Sequence, residues 1–197
     1  MTDSLLEVDQ GLFRFINGLS GRNDLLDRIF SLAASDYLIP VSIGLILVYI
    51  WLISNKFNDS KRGKNNVVLC VCTMFIASAV VFICNAFYFR ERPFTVSEVN
   101  LLFYMPTDSS FPSNTAAGMM GLSMPILFER KSLFILALLG CILICFARIY
   151  VGIHYPSDVL VGFLIALGSF VLCIKLVPLT QPFIDRIINL AYRLNLT

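Results

Sequence analysis

The sequence predicts an all-α, polytopic membrane bundle of five transmembrane helices, or six if the N-terminal segment dips into the bilayer, with amphipathic segments at both ends. Three observations predict it. Hydrophobic residues make up 57% of the 197 residues and charged residues only 14%, against roughly a quarter charged in an ordinary soluble domain. Mean hydropathy is +0.80. Five runs, 37–55, 65–89, 109–128, 132–147 and 159–174, contain no charge. The first three meet the requirement of about 20 apolar residues for a bilayer core of about 30 Å. The last two are shorter, and the basic residues flanking them can snorkel or face a polar cavity. This composition excludes a disordered chain, a collagen, a coiled coil and a cytosolic globule. A net charge of +2 is too mild to argue for a nucleic-acid partner. One membrane domain over residues 1–197 is expected.

The elements follow in order. Residues 1–36 read as an amphipathic segment. Leu12, Phe13, Phe15, Ile16 and Leu19 give an interfacial helix, and a turn follows around Gly21. Asp3, Glu7, Asp9 and Arg14 are out of place in a cleavable signal peptide. The loop 55–66 carries Lys56, Lys61, Arg62 and Lys64 against Asp59, and the turn Glu129-Arg130-Lys131 is also basic. Both are expected on the cytoplasmic side, which puts residues 1–36 and the connections 90–115 and 148–158 outside. Ala116, Ala117, Gly118 and Gly121 on the third span, with Gly162, Ala166 and Gly168 on the fifth, predict a close approach of those two helices. The tail 178–197 is a second amphipathic segment, with Ile184, Ile187, Ile188, Ala191 and Leu194 on one face. Cys70, Cys72, Cys84, Cys141, Cys145 and Cys173 all lie in apolar runs and are expected as buried thiols.

The unusual polar residues gather in the outer connections. The segment 148–158, RIYVGIHYPSD, contains the only histidine. Pro156 favours a helix start, and Tyr155 before it is biased out of the α region. Arg148 therefore ends one span, Gly152 sits in the bend, and Asp158 falls in the first turn of the last span. From there its carboxylate can reach back to His154. A carboxylate on one imidazole nitrogen fixes the tautomer and leaves the other nitrogen basic, as a nucleophile or general base needs. Read alone, His154 is equally an interfacial anchor. The segment 90–95, RERPFT, puts Arg90 and Arg92 at the end of the second span. Read alone, these are headgroup anchors. The segment 108–118, DSSFPSNTAAG, offers Ser113 or Asn114 as an N-cap. The helix it opens is either ordinarily capped or an anion site. Together the three segments offer three arginines, a helix N-terminus, a hydroxyl cap and a carboxylate-backed histidine. Arginine forks match phosphate oxygens bidentately. No acidic cluster suggests ligands for Mg²⁺ or Zn²⁺, so a phosphate site without metal or other cofactor is expected.

At these residues the chain resembles the type-2 phosphatidic acid phosphatase superfamily, whose motifs are K-x6-R-P, P-S-G-H and S-R-x5-H-x3-D. Within it the likeness is to the small bacitracin-resistance type of undecaprenyl-diphosphatase. Arg92-Pro93-Phe94 matches the end of the first motif, Ser110-Phe111-Pro112-Ser113 the second, and Arg148, His154 and Asp158 the third. The resemblance covers roughly residues 5–190. It implies that His154 attacks phosphorus to form a phosphohistidine and that Asp158 orients it. It also implies that Arg92, Arg148, Ser113 and backbone N–H groups near Asn114 hold the phosphoryl oxygens. The implied setting is the bacterial plasma membrane, with a multi-pass chain, the site on the extracytoplasmic side, a polyprenyl diphosphate as substrate and no obligate protein partner.

The departures from the motifs are specific. Asn85 stands at the lysine position of the first motif, and Arg90 is expected to supply the missing charge. Ala147 replaces the serine before Arg148, and Asn114 replaces a glycine. Thr115 stands where the family has the histidine that protonates the leaving group. General acids typically contribute ~10²–10⁴-fold. A phosphate leaving from a diphosphate titrates near about pH 6 and needs little help. Two readings stay open: a diphosphatase that tolerates the loss, or a chain with impaired turnover. Another lipid phosphatase, acting on phosphatidylglycerophosphate or phosphatidate, and a non-catalytic binder or translocator of polyprenyl phosphates are the alternatives. A soluble haloperoxidase-like protein shares the motifs but has no place for the uncharged run 65–89.

Overall fold

The structure, a computed structural model, describes residues 2–54 and 60–194. They form α1 (Thr2–Asn17), α2 (Asp24–Ala34), α3 (Leu38–Ile53), α4 (Ser60–Phe87), the single turn α5 (Pro93–Val96), α6 (Asn114–Ser123), α7 (Lys131–Tyr150) and α8 (Pro156–Arg193). A 3₁₀ segment, Met124–Phe128, follows α6 directly. The all-α membrane bundle expected from composition is the fold that forms. Three helices are long and apolar enough to cross a bilayer, over Lys61–Phe87, Lys131–Tyr150 and Pro156–Leu179. The pair α2 and α3, bent by 50°, passes the same test as a fourth. Their outward faces carry large apolar side chains such as Phe82, Phe87, Leu139 and Leu160.

The third uncharged run departs from the spanning helix expected over 109–128. Helix starts only at Asn114: α6 has ten residues and the 3₁₀ segment adds five, against the about 20 that a span needs. Ser109, Ser110 and Ser113 put their hydroxyls into loop and capping hydrogen bonds instead of helix. What α6 lacks in length it gains in enclosure. It packs chiefly against α4 and α8, and Ala116 and Ala117 are wholly buried. A Cβ added at Gly162 of α8 would lie 2.7 Å from the Ser113 carbonyl oxygen and 2.8 Å from Ala116 Cβ. Glycine there sets the α6–α8 spacing, as the small-residue pattern predicts. Gly168 takes no part, having nothing near its Cβ position, and Gly118 and Gly121 face Met74 of α4 instead of α8.

Both end segments do more than lie at an interface. In α1, Leu5, Leu12 and Phe15 face outward while Phe13 is buried against Tyr155, ring centroids 5.3 Å apart. Asn17 ends the helix as a clamp. Its amide donates to the carbonyls of Asn100 and Tyr150, each at 2.9 Å, and its Oδ1 accepts from Asn100 N–H. The turn that follows uses Gly21 at φ +78°, and the α7–α8 bend uses Gly152 at φ +91°. Both are left-handed conformations that favour glycine. At the other end α8 runs unbroken through Pro178 and Pro182. The expected single apolar face is divided. Ile184 and Ile188 are buried beside Val68, whereas Ile187 and Leu194 are exposed. The side chain of Ala191 lies outside the described residues.

Candidate active site

Three connections meet at one end of the bundle. The Ser110 N–H donates to the Arg90 carbonyl, the Ser113 N–H to the Asp158 carbonyl, and the Leu102 N–H to the Val151 carbonyl. They bring His154, between α7 and α8, against Arg92, just after α4. His154 is 2% exposed. Its Nδ1 lies 3.0 Å from the Ser110 carbonyl oxygen. A carbonyl only accepts, so the proton sits on Nδ1. Nε2 keeps its lone pair and faces Arg92 Nη1 at 3.3 Å. Burial lowers the His154 pKa below the ordinary histidine value, opposed by Asp158 and reinforced by the charges of Arg92 and Arg148. A neutral imidazole with an outward lone pair is the nucleophilic form.

Asp158 acts at one remove from the expected direct contact. Its Oδ2 is 3.6 Å from His154 Nδ1, too long for a hydrogen bond. That oxygen accepts from Ser110 Oγ at 2.5 Å and from the Tyr155 N–H at 2.8 Å. Asp158 therefore holds Ser110, whose own carbonyl holds the imidazole. The other oxygen, Oδ1, accepts from Arg90 Nη1 at 2.7 Å.

Arg92 is anchored on backbone. Its Nη1 donates to the Ile153 carbonyl at 2.9 Å and its Nε to the Asp108 carbonyl at 3.0 Å. Its Nη2 donates to Asp108 Oδ1 at 2.9 Å. Arg148, in the last turn of α7, is 5% exposed and sits over the Phe103 ring. Its Nη2 is ion-paired with Asp36, and its buried Nε has no hydrogen-bond partner among the described residues. Tyr104 donates its hydroxyl to the other Asp36 oxygen at 2.9 Å.

These groups enclose a cavity of about 180 Å³ lined by Asp36, Arg92, Tyr104, Pro106, Asp108, Ser109, Asn114, Thr115, Arg148 and His154. Of the residues singled out in the sequence, Arg92, Asn114, Thr115, Arg148 and His154 line it. Ser113 lies behind it as the N-cap of α6, its Oγ accepting from the Ala116 N–H at 3.3 Å. Arg90, expected to supply the missing phosphate-site charge, is not among the residues that line the cavity. It turns away from the cavity to Asp158, to Ser157 Oγ at 2.7 Å and to Asp9 at 2.8 Å, stacked on the Tyr155 ring. Burial alone would lower its pKa, but Asp158 and Asp9 outweigh that and raise it. Asn85 on α4 is outside the lining, its Oδ1 buried without a hydrogen-bond partner among the described residues. A larger cavity, about 520 Å³, lies at the far end of α4, lined by Lys61, Leu69, Phe128 and Pro178 among others. Its one amine, Lys61, is paired with Asp185 and no imidazole lines it, so chemistry and not size picks out the smaller one.

Asp9, Asp36, Tyr104 and Asp108 enter the site without a role assigned from the sequence, and Ser110, there only part of a motif match, holds the imidazole. Asp108 opens the segment 108–118 and Asp36 precedes the run 37–55, and nothing local assigns either a partner.

Residues 65–181 match the family model of the PAP2 superfamily. The chain is 31% identical over 179 residues to the undecaprenyl-diphosphatase BcrC of Bacillus subtilis, covering 91% of this chain and 89% of that protein. It is 31% identical over 126 residues to an undecaprenyl-diphosphatase of Sulfolobus acidocaldarius, covering 62% and 60%. The crystal structure of Aquifex aeolicus LpxE superposes with a TM-score of 0.67 at 28% identity, over 84% of this chain and 94% of that one. A transmembrane PAP2-type phosphatidylglycerolphosphate phosphatase from Bacillus subtilis shares the fold, with a TM-score of 0.62 at 17% identity over 87% and 85% of the two chains.

Proposed function

The chain belongs to the PAP2 superfamily, and we propose that it is a membrane lipid diphosphatase converting undecaprenyl diphosphate to undecaprenyl phosphate and inorganic phosphate. The observation that carries this reading is His154 itself, its Nδ1 on the Ser110 carbonyl and its Nε2 3.3 Å from Arg92, in the lining of a cavity that Arg92 and Arg148 also line. Nε2 attacks the terminal phosphorus. The N–P bond forms as the bridging P–O bond breaks, and its electron pair leaves with the polyprenyl monophosphate. Water then attacks the phosphohistidine, breaks the N–P bond and releases phosphate. Arg92 and Arg148 stabilise the charge spread over the equatorial oxygens. The N-terminus of α6 at Asn114 adds its positive dipole end.

Relatives called undecaprenyl-diphosphatases support the substrate. So does Thr115, which lines the cavity and cannot serve as a general acid near neutral pH. Loss of the acid is best tolerated when the leaving group is itself a phosphate. The substrate lipid enters from the surrounding membrane, and the site works on the extracytoplasmic face of a bacterial plasma membrane within one domain over residues 1–197. Phosphate release from farnesyl or undecaprenyl diphosphate by the purified protein tests the reading. His154→Ala is expected to lower it on the order of 10³-fold or more. Release that survives this substitution removes the nucleophile.

Thr115 also favours a second reading, a binder of polyprenyl phosphates without turnover. That reading predicts tight binding, no hydrolysis and no gain from Thr115→His. A gain in hydrolysis with that variant supports the enzyme.

A further inference from the structure

Both arginines that face the cavity already hold a carboxylate. Asp36 is paired with Arg148, and Asp108 with Arg92 Nη2. Both acids line the cavity, and their side chains are 44% and 66% exposed. They come from different segments, Asp36 from the bend between α2 and α3 and Asp108 from the loop before α6. A phosphoryl oxygen seeking the same guanidinium N–H groups meets an oxygen already there.

We propose that Asp36 and Asp108 form a carboxylate latch, an intramolecular competitor that must leave Arg148 and Arg92 before a phosphoryl group binds. Arg92 does not depend on the Asp108 carboxylate for its position. Arg92 is fixed by two backbone carbonyls through Nη1 and Nε. Arg148 is held by burial and the Phe103 ring, and its unpartnered Nε marks a donor that Asp36 does not satisfy. Tyr104 sets the strength of the latch by holding the other Asp36 oxygen. The latch subtracts the same free energy from every anion. Free inorganic phosphate has only the arginines to hold and is excluded at ordinary concentrations. A lipid diphosphate adds the binding of its apolar chain and enters, and the small phosphate product then leaves readily. The inference rests on the proposed diphosphatase reading for its purpose but not for its test.

The test is equilibrium binding of inorganic phosphate and of pyrophosphate to the detergent-solubilised full chain, alongside hydrolysis of farnesyl diphosphate. Asp36→Asn is expected to tighten both anions about tenfold, equivalent to about 1.4 kcal/mol. Asp108→Asn, whose acid is more exposed, is expected to tighten them about threefold. Tyr104→Phe keeps the charge and loosens only the latch, so it should tighten them by a smaller factor. It decides the matter if Asp36→Asn fails to fold. Unchanged or weaker anion binding in these variants overturns the latch and makes the acids positioning residues. If the wild-type chain hydrolyses nothing while Asp36→Asn still tightens phosphate, the diphosphatase reading fails and the latch stands.

Discussion

Arg90 and Arg148 both end up paired with aspartate at the same end of the bundle, yet they live in different surroundings. Arg90 is shared between Asp9 and Asp158, whose side chains are 10% and 0% exposed, its own being 15% exposed. No anion from outside can exchange into that cluster, in which one guanidinium holds two enclosed carboxylates. Arg148 is more deeply buried than Arg90, but its partner Asp36 is half-exposed and lines the cavity. The same pair chemistry is structural where the acid is enclosed and exchangeable where the acid reaches solvent. The back of His154 is thus a fixed scaffold, and its front is a surface made to change partners.

Breaking the back should cost stability first. Arg90→Met leaves Asp9 and Asp158 buried without their cation, and such a loss costs about 3–5 kcal/mol. Thermal unfolding in detergent should show it as a large drop in Tm. An unchanged Tm would mean the two arginine environments are alike. Breaking the front should cost activity instead. Arg148→Lys keeps the charge but loses the guanidinium fork. It is expected to lower kcat/KM about 10²-fold while Tm shifts by only a few degrees.

The effect of pH sharpens the contrast at His154. Its pKa is below the ordinary value of 6.5, and the neutral form attacks. Activity should therefore persist as the pH falls through 6.5 and decline only at lower pH. Stability has its own sign. Below 6.5 the unfolded chain takes up a proton that the folded chain does not, so stability falls as the pH drops from 6.5 toward the lowered value. His154→Gln should flatten that dependence in thermal melts recorded across this range. The smallest effect is expected at Gly152→Ala. The residue has φ +91°, so a side chain costs about 1–2 kcal/mol there.

Much of this was legible in the chain because it is local. Charge-free runs located α4, α7 and α8. Pro156 and Gly152 fixed the bend that carries His154, and the spacing to Asp158 put the acid in the first turn of α8. The membrane character follows from composition alone. Two kinds of information were not local. One is the length of α6, because serines and prolines in an uncharged run read as apolar by absence of charge while they terminate helix. The other is which acid meets which arginine. Asp9 and Arg90 are 81 residues apart, and Asp36 and Arg148 are 112 apart. No periodicity encodes such pairs. Arg90 looked like a free cation beside Arg92 because nothing in 90–95 shows that Asp9, on a helix read as interfacial, reaches it.

The most direct measurement of the central claim is the chemical identity of the trapped intermediate. The full chain, mixed with farnesyl diphosphate and quenched in alkali, should carry phosphate on one side chain, His154, attached at Nε2 and lost in His154→Gln. Phosphate on another residue, or on Nδ1 of His154, would contradict the orientation that places Nδ1 on the Ser110 carbonyl.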